Sequence, residues 1–177
     1  MANAIHTELW LRGPVPGIPP LLQPVAHALL QACQEVNDLM AAFPDTLLWE
    51  HPGGLASPGF HLQHLAGVLD RLFTYAREKA LNEAQLANLA TEGSPTEGQS
   101  TVAQLLNRFN IQIDKSLEQI GETPEESLTK PRFVGRARLP SNVIGLLFHA
   151  AEHTQRHTGQ LIVTARVLMA VGRQPNG

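Results

Sequence analysis

The chain has 177 residues, 43% apolar and 16% charged, with thirteen Lys and Arg against sixteen Asp and Glu. That is the size and makeup of one globular domain with a real core, and it excludes a disordered polyelectrolyte. A net charge of -3, with "RFVGRAR" (132–138) the only basic cluster, excludes a nucleic-acid surface. No apolar run approaches the ~18–20 residues of a membrane span.

The opening "MANAIHTELWLRGPVPG" lacks a basic start followed by an apolar run, so it does not read as a signal peptide. Residues 11–20, "LRGPVPGIPP", hold too many prolines and glycines for regular structure. The first helix is predicted over 21–43. Pro24 is tolerable only in its first turn, and Leu29, Cys33, Val36 and Met40 form one apolar stripe. Cys33 is the only cysteine, which rules out an internal disulfide, and its apolar setting reads as a buried, inert thiol. A reducing, cytoplasmic location is the expectation.

A connector (43–59) carries Leu47, Leu48 and Trp49 as anchors. Ser57-Pro58 then starts a second helix over 59–81, with a cap hydroxyl followed by proline at the first helical position. A short helical piece falls around 83–90, and "TEGSPTEGQS" (91–100) is polar loop. The third helix spans 101–120, with Ser100 as its cap and Gly121 as its stop. Residues 122–140 are mostly irregular, though "TPEESL" reads as a helical turn and "RFVGRARL" as weakly alternating extended chain. The fourth helix spans 141–171 and contains Gly145 and Gly159, the latter suggesting close packing or a bend. The fold class is therefore all-α: a four-helix bundle with long loops, one domain over 1–177, preceded by an irregular segment at 1–20.

The histidines carry the chemistry. "HAAEHTQRHTGQ" places His149, His153 and His157 four residues apart, and "FHLQHLAG" places His61 and His64 on the second helix. Residues at i and i+4 are neighbours on a helix and can share a cation. His149 and His157 lie about 12 Å apart along the axis, too far for all three to bind one ion with metal–nitrogen bonds of about 2.0–2.1 Å. A site therefore uses 149/153 or 153/157, with a ligand from the second helix. The periodicity puts His61 nearer the centre of the apolar stripe and His64 at its edge, but does not choose between them. His51 stands in the connector, while His6 and His27 read as ordinary surface or partly buried residues. Three neutral nitrogens would leave open positions, as catalytic zinc sites do, and imidazole also suits nickel, iron and copper.

"HLAGVLDRL" (64–72), followed far downstream by "EHTQRHTGQL" (152–161), resembles the DinB/YfiT-like superfamily of metal-binding four-helix bundles. The resemblance selects His64, His153 and His157 as ligands. Gly159-Gln160 falls in register with the family pattern, while Arg156 and Thr158 stand where its members often carry His and Arg. His61 and His149 become neighbours of the site that support it without ligating. The family implies a mononuclear zinc, nickel or iron site. Its characterised members are similar to transferases and isomerases that use bacillithiol, mycothiol or glutathione, often as homodimers.

Three functions follow. The first is a thiol-dependent S-transferase of a detoxifying kind, acting on a small molecule, in which Arg156 or Arg71 steers an anionic cofactor unless each is simply a solvated helix charge. The second is a metal-dependent hydrolase using bound water, for which Glu152 is poorly placed and Glu50 or Glu92 would have to serve as base. The third is a non-enzymatic, stress-associated bundle that binds a ligand. The missing base favours the first.

Overall fold

A computed structural model describes residues 7–171 of the chain. His6 lies outside them. The long elements are α1 (Gln23–Met40), α2 (Pro58–Ala76), α3 (Glu83–Ala90), α4 (Val102–Gly121) and α5 (Val143–Val171), with a small hairpin of β1 (Pro131–Val134) and β2 (Leu139–Asn142). The architecture is all-α with this hairpin as an appendage. Among the described residues no helix is long and apolar enough to cross a membrane.

The helix ends follow local chemistry. Pro24 sits in the first turn of α1, which follows a 3-10 turn at Pro20–Leu22 and stops at Met40, short of the expected Phe43. A further 3-10 turn covers Leu9–Arg12, and residues 13–19 of the proline-rich stretch form no helix or strand, as their composition requires. Ser57 caps α2, its hydroxyl accepting from the Phe60 amide at 3.1 Å. That helix ends at Ala76, not at 81, because Glu78 turns into the left-handed region at φ 61°. Asn82 and Gln85 form a reciprocal capping box on α3. Thr101, not Ser100, caps α4: its hydroxyl accepts from the Gln104 amide, while Gln104 reaches back to the amides of Thr101 and Ser100. Asn142 starts α5, its side chain accepting from the Gly145 amide at 2.7 Å. The weakly alternating "RFVGRARL" pairs with the residues after it, Phe133 opposite Pro140, and turns at Gly135 with φ 67°.

Both α1 and α2 pack against α4 and α5. α1 and α2 thus stand diagonally across the bundle, as do α4 and α5, and a long connection joins each of these pairs, while α2 and α4 are neighbours. The core they enclose includes Leu29, Leu62, Leu69, Phe73, Phe109 and Leu147, each at most 1% exposed. The connector anchors behave as expected: Leu48 is fully buried, and Trp49 lies against Gly59 so closely that a methyl there would overlap its ring.

One polar contact sits within the α1–α4 seam. Asn37 and Asn110 exchange amide hydrogen bonds at 2.8 and 3.0 Å. The Cys33 thiol donates to Asn110 Oδ1 at 3.4 Å. Burial and the Asp114 carboxylate push this thiol's pKa up, outweighing the hydrogen bond from Asn37. Cys33 is half-buried, not fully enclosed, yet held protonated, which fits an inert thiol.

Candidate metal centre

Three histidines from two helices converge between α2 and α5. One ring nitrogen from each of His64, His153 and His157 lies within 4.8 Å of the others. His64 Nε2 and His153 Nε2 are 2.9 Å apart. The ring centroids of His64 and His157 are 4.3 Å apart, and those of His153 and His157 are 4.6 Å apart. Of the two pairs that the spacing on α5 left open, 153/157 is the one grouped with His64.

His64 is the most firmly oriented. Its Nδ1–H donates to Glu92 Oε2 at 2.8 Å, and Glu92 Oε1 accepts from Arg71 Nη1 at 2.5 Å. A carboxylate only accepts, so the proton sits on Nδ1 and the Nε2 lone pair points toward His153. Burial would raise the Glu92 pKa, but the hydrogen bonds and charges of His64 and Arg71 outweigh it and hold the carboxyl below its usual value. Arg71 is 11% exposed, so it is no solvated helix charge and is not free to steer a cofactor. Arg108 also faces this carboxylate, and burial lowers its own pKa.

Glu92 stands just past α3, and the loop after it is pinned by a buried side chain of α2. Gln63 accepts from the Gly93 amide at 2.8 Å and donates to the Ser94 carbonyl at 2.9 Å. Gly67, one turn beyond His64, supplies the space: a Cβ there would overlap Glu92 Oε1 and Arg71 Nη1. The motif "QHLAG" therefore does three jobs on one helix face. Gln63 holds the loop, His64 aims a nitrogen inward, and Gly67 lets the carboxylate and guanidinium cross the helix.

His61 is 4% exposed, as a central position on the apolar stripe requires. Its Nδ1 is 3.2 Å from His157 Nδ1. Burial, followed by the charge of His64, lowers the His61 pKa to about 4. Burial and the surrounding histidines lower that of His157 to about 4 as well. The His153 pKa is lowered by burial first and then by His64. These rings are neutral near pH 7, the state in which imidazole offers a lone pair to a cation. Phe60 stacks on His64, with centroids 5.3 Å apart and planes 13° from parallel, and so closes one side of the cluster.

His149 is half exposed and bonded through Nδ1 to Glu152 Oε1 at 2.7 Å. Glu152 Oε2 accepts from Arg156 Nη2 at 2.9 Å. His149, Glu152 and His153 form a second close group along α5, but two of its three members already satisfy each other. His51 and His27 serve the backbone, at the Leu55 and Gly13 carbonyls; His51 is exposed and His27 half-buried.

The donor set fits a divalent cation. With the His64 proton on Nδ1, His153 has two choices. It can donate from Nε2 and leave Nδ1 a bare acceptor, or carry its proton on Nδ1 and bring two lone pairs together at 2.9 Å. His153 Nδ1 is buried and has no partner, so neither choice satisfies the ring. A cation shared by the two Nε2 atoms removes the second of these conflicts, since both lone pairs then point at it. Nitrogens bound at about 2.0–2.1 Å lie about 2.9–3.4 Å apart around one ion, which matches the His64–His153 contact. The carboxylate behind His64 is the usual support for a ligating imidazole.

No curated protein matches the chain at a significant level. A family model described as the DinB superfamily matches residues 28–161, from within α1 to the turn of α5 just past Gly159-Gln160. This stretch contains all three converging histidines, Glu92 and Arg71, and the chain belongs to the DinB superfamily.

Proposed function

We propose that this protein is a metal-dependent enzyme of the thiol-transfer type. His64, His153 and His157 hold one zinc, nickel or iron ion. The observation that carries this reading is the convergence of three imidazoles, with one already aimed by a carboxylate. When bound, the ion supplies Lewis acidity that favours the thiolate form of a small-molecule thiol. The chain's own sulfur does not compete for this role, since Cys33 is paired in the α1–α4 seam and kept protonated. Glu92 fixes the His64 tautomer, and Phe60 screens the cluster from water on one side. In the transfer itself the thiol sulfur forms a bond to an electrophilic carbon, the leaving group departs with its electron pair, and the thiol proton passes to solvent.

A hydrolase would need a free carboxylate as base. Both oxygens of Glu92 are engaged, by His64 and Arg71, and both oxygens of Glu152 by His149 and Arg156, while Glu50 is exposed and, among the described residues, falls in no close group with the histidines. Thiol chemistry needs no such base and is the better supported reading.

Elemental analysis of tag-free protein tests the metal. About one equivalent per chain is expected, lost in His153→Ala, and metal-dependent consumption of a thiol with a model electrophile should follow. Metal content unchanged in His153→Ala would overturn the ligand set. Loaded protein that consumes no thiol across a broad panel would overturn the reaction class alone.

A further inference from the structure

A groove of about 580 Å³ opens beside the histidine cluster. Its inner end is formed by His61 and His157, and its walls by Leu55, Phe60 and Val163. Leu55 and Val163 are 67% and 63% exposed, high values for apolar side chains that flank a polar centre. Its floor is shaped by Gly159. A Cβ built there meets nothing within 4 Å, so this glycine is not closely packed, and its missing side chain leaves the groove open. Among the described residues, Arg156 is the only lysine or arginine lining the groove, and it is already paired with Glu152.

We propose that this groove binds the apolar body, an alkyl chain or single aryl ring, of the enzyme's electrophilic substrate. The proposal rests on the thiol-transfer reading and names which of two substrates lies here. A low-molecular-weight thiol of the peptide or sugar kind carries several charged and hydrogen-bonding groups, and these would find few partners against Leu55, Phe60 and Val163. An apolar group loses nothing on entering and removes those three side chains from water. The volume falls within the about 300–1,000 Å³ usual for small-ligand sites. Continuity with His61 and His157 directs the reactive end of such a molecule toward the cluster.

Straight-chain primary alcohols from butanol to octanol are suitable probes, since they carry the apolar body without reacting. Titrated into the metal-loaded protein and followed by backbone amide resonances, they should shift Leu55, Gly159 and Val163 and bind about twofold to fourfold tighter per added methylene. Gly159→Leu fills the floor and Val163→Asp charges the wall. Each should weaken octanol at least about tenfold while metal content stays the same. His153→Ala should lose the metal and keep the alcohol, so the failure of the metal reading is seen separately. Affinity that does not depend on chain length, shifts centred elsewhere, or full octanol binding by both groove variants would overturn the proposal. So would a dimer, detected by light scattering, whose contact covers Leu55 and Val163 and excludes the alcohols.

Discussion

Gly67 on α2 and Gly159 on α5 both lie close to the histidine cluster, and their surroundings are opposite. Around Gly67 every direction is taken: the Glu92 carboxylate and the Arg71 guanidinium occupy the volume a methyl would need. Around Gly159 there is open space. The α2 side is a buttress, with Gln63 holding a loop, the loop delivering Glu92, and Glu92 orienting His64. On the proposed reading the α5 side is the entrance. A site that must hold an ion and admit a substrate needs both, and the division predicts that substitutions on the two sides will differ in sign as well as in size.

The largest effect is expected at the centre of the buttress. Glu92→Ala removes the acceptor for His64 Nδ1 and strands Arg71, which is 11% exposed, without its partner. Metal affinity should fall about 10–100-fold, the usual cost of losing such a partner. The metal-free protein should lose about 1–3 kcal/mol from the unpaired buried cation. Competition with a chromophoric chelator measures the first, and urea unfolding the second. Unchanged affinity would mean that Glu92 serves only to neutralise Arg71.

Gly67→Ala tests the same buttress by crowding it. The added methyl displaces Glu92 or Arg71, and overpacking of this kind costs about 1–3 kcal/mol. If the carboxylate is the group that moves, the variant should also bind metal more weakly, as Glu92→Ala does. Loss of stability with full metal affinity would identify Arg71 as the group that yields.

Acid should act on the cluster as a whole. His61 and His157 have folded-state pKa values lowered to about 4, below the ordinary histidine value, so the folded protein takes up fewer protons than the unfolded chain between these limits. Their contribution is full above about pH 6.5 and is lost as the pH falls toward 4. Chelator-treated protein should therefore lose stability through this window, about 2 kcal/mol of it through the deeply buried His61. Glu92 behaves differently: its lowered pKa gives stability above the ordinary carboxylate value that is lost only at lower pH. Urea unfolding at pH 7, 5.5 and 4.5 separates the two. If His61→Asn leaves the slope between pH 6.5 and 4.5 unchanged, His61 is not its source.

What the sequence revealed about these two sides is uneven. The helices were legible because their periodicity and caps are local. The histidines on α5 were legible because i and i+4 spacing fixes neighbours, and the family pattern singled out His64. Glu92 and Arg71 were not. Glu92 stood in a polar loop, where it was a possible base, and Arg71 read as a helix charge. Their pairing depends on Gln63 docking that loop onto α2, a tertiary contact 30 residues apart that leaves no periodic trace. The Thr101 cap was missed by one residue because two adjacent hydroxyls offered equivalent signals, and only the Gln104 geometry separates them. Gly159 misled for a related reason: a glycine inside a helix looks the same in sequence whether it makes room for a neighbour or for a ligand.

The smallest predicted effect is also the sharpest test of the comparison. Gly159→Ala adds a methyl on the entrance side, where no atom lies within 4 Å of the new Cβ and the backbone is already helical. Nothing is displaced, and the unfolded chain loses freedom it would otherwise regain. The variant should gain about 0.5–1 kcal/mol, seen as a rise of about 2–4 °C in Tm, with metal affinity unchanged. The same substitution at Gly67 should lower Tm. If both variants lose stability, the space beside Gly159 is filled in the folded protein, by a second copy of the chain or by a segment packed against α5, and the entrance is closed until that group leaves.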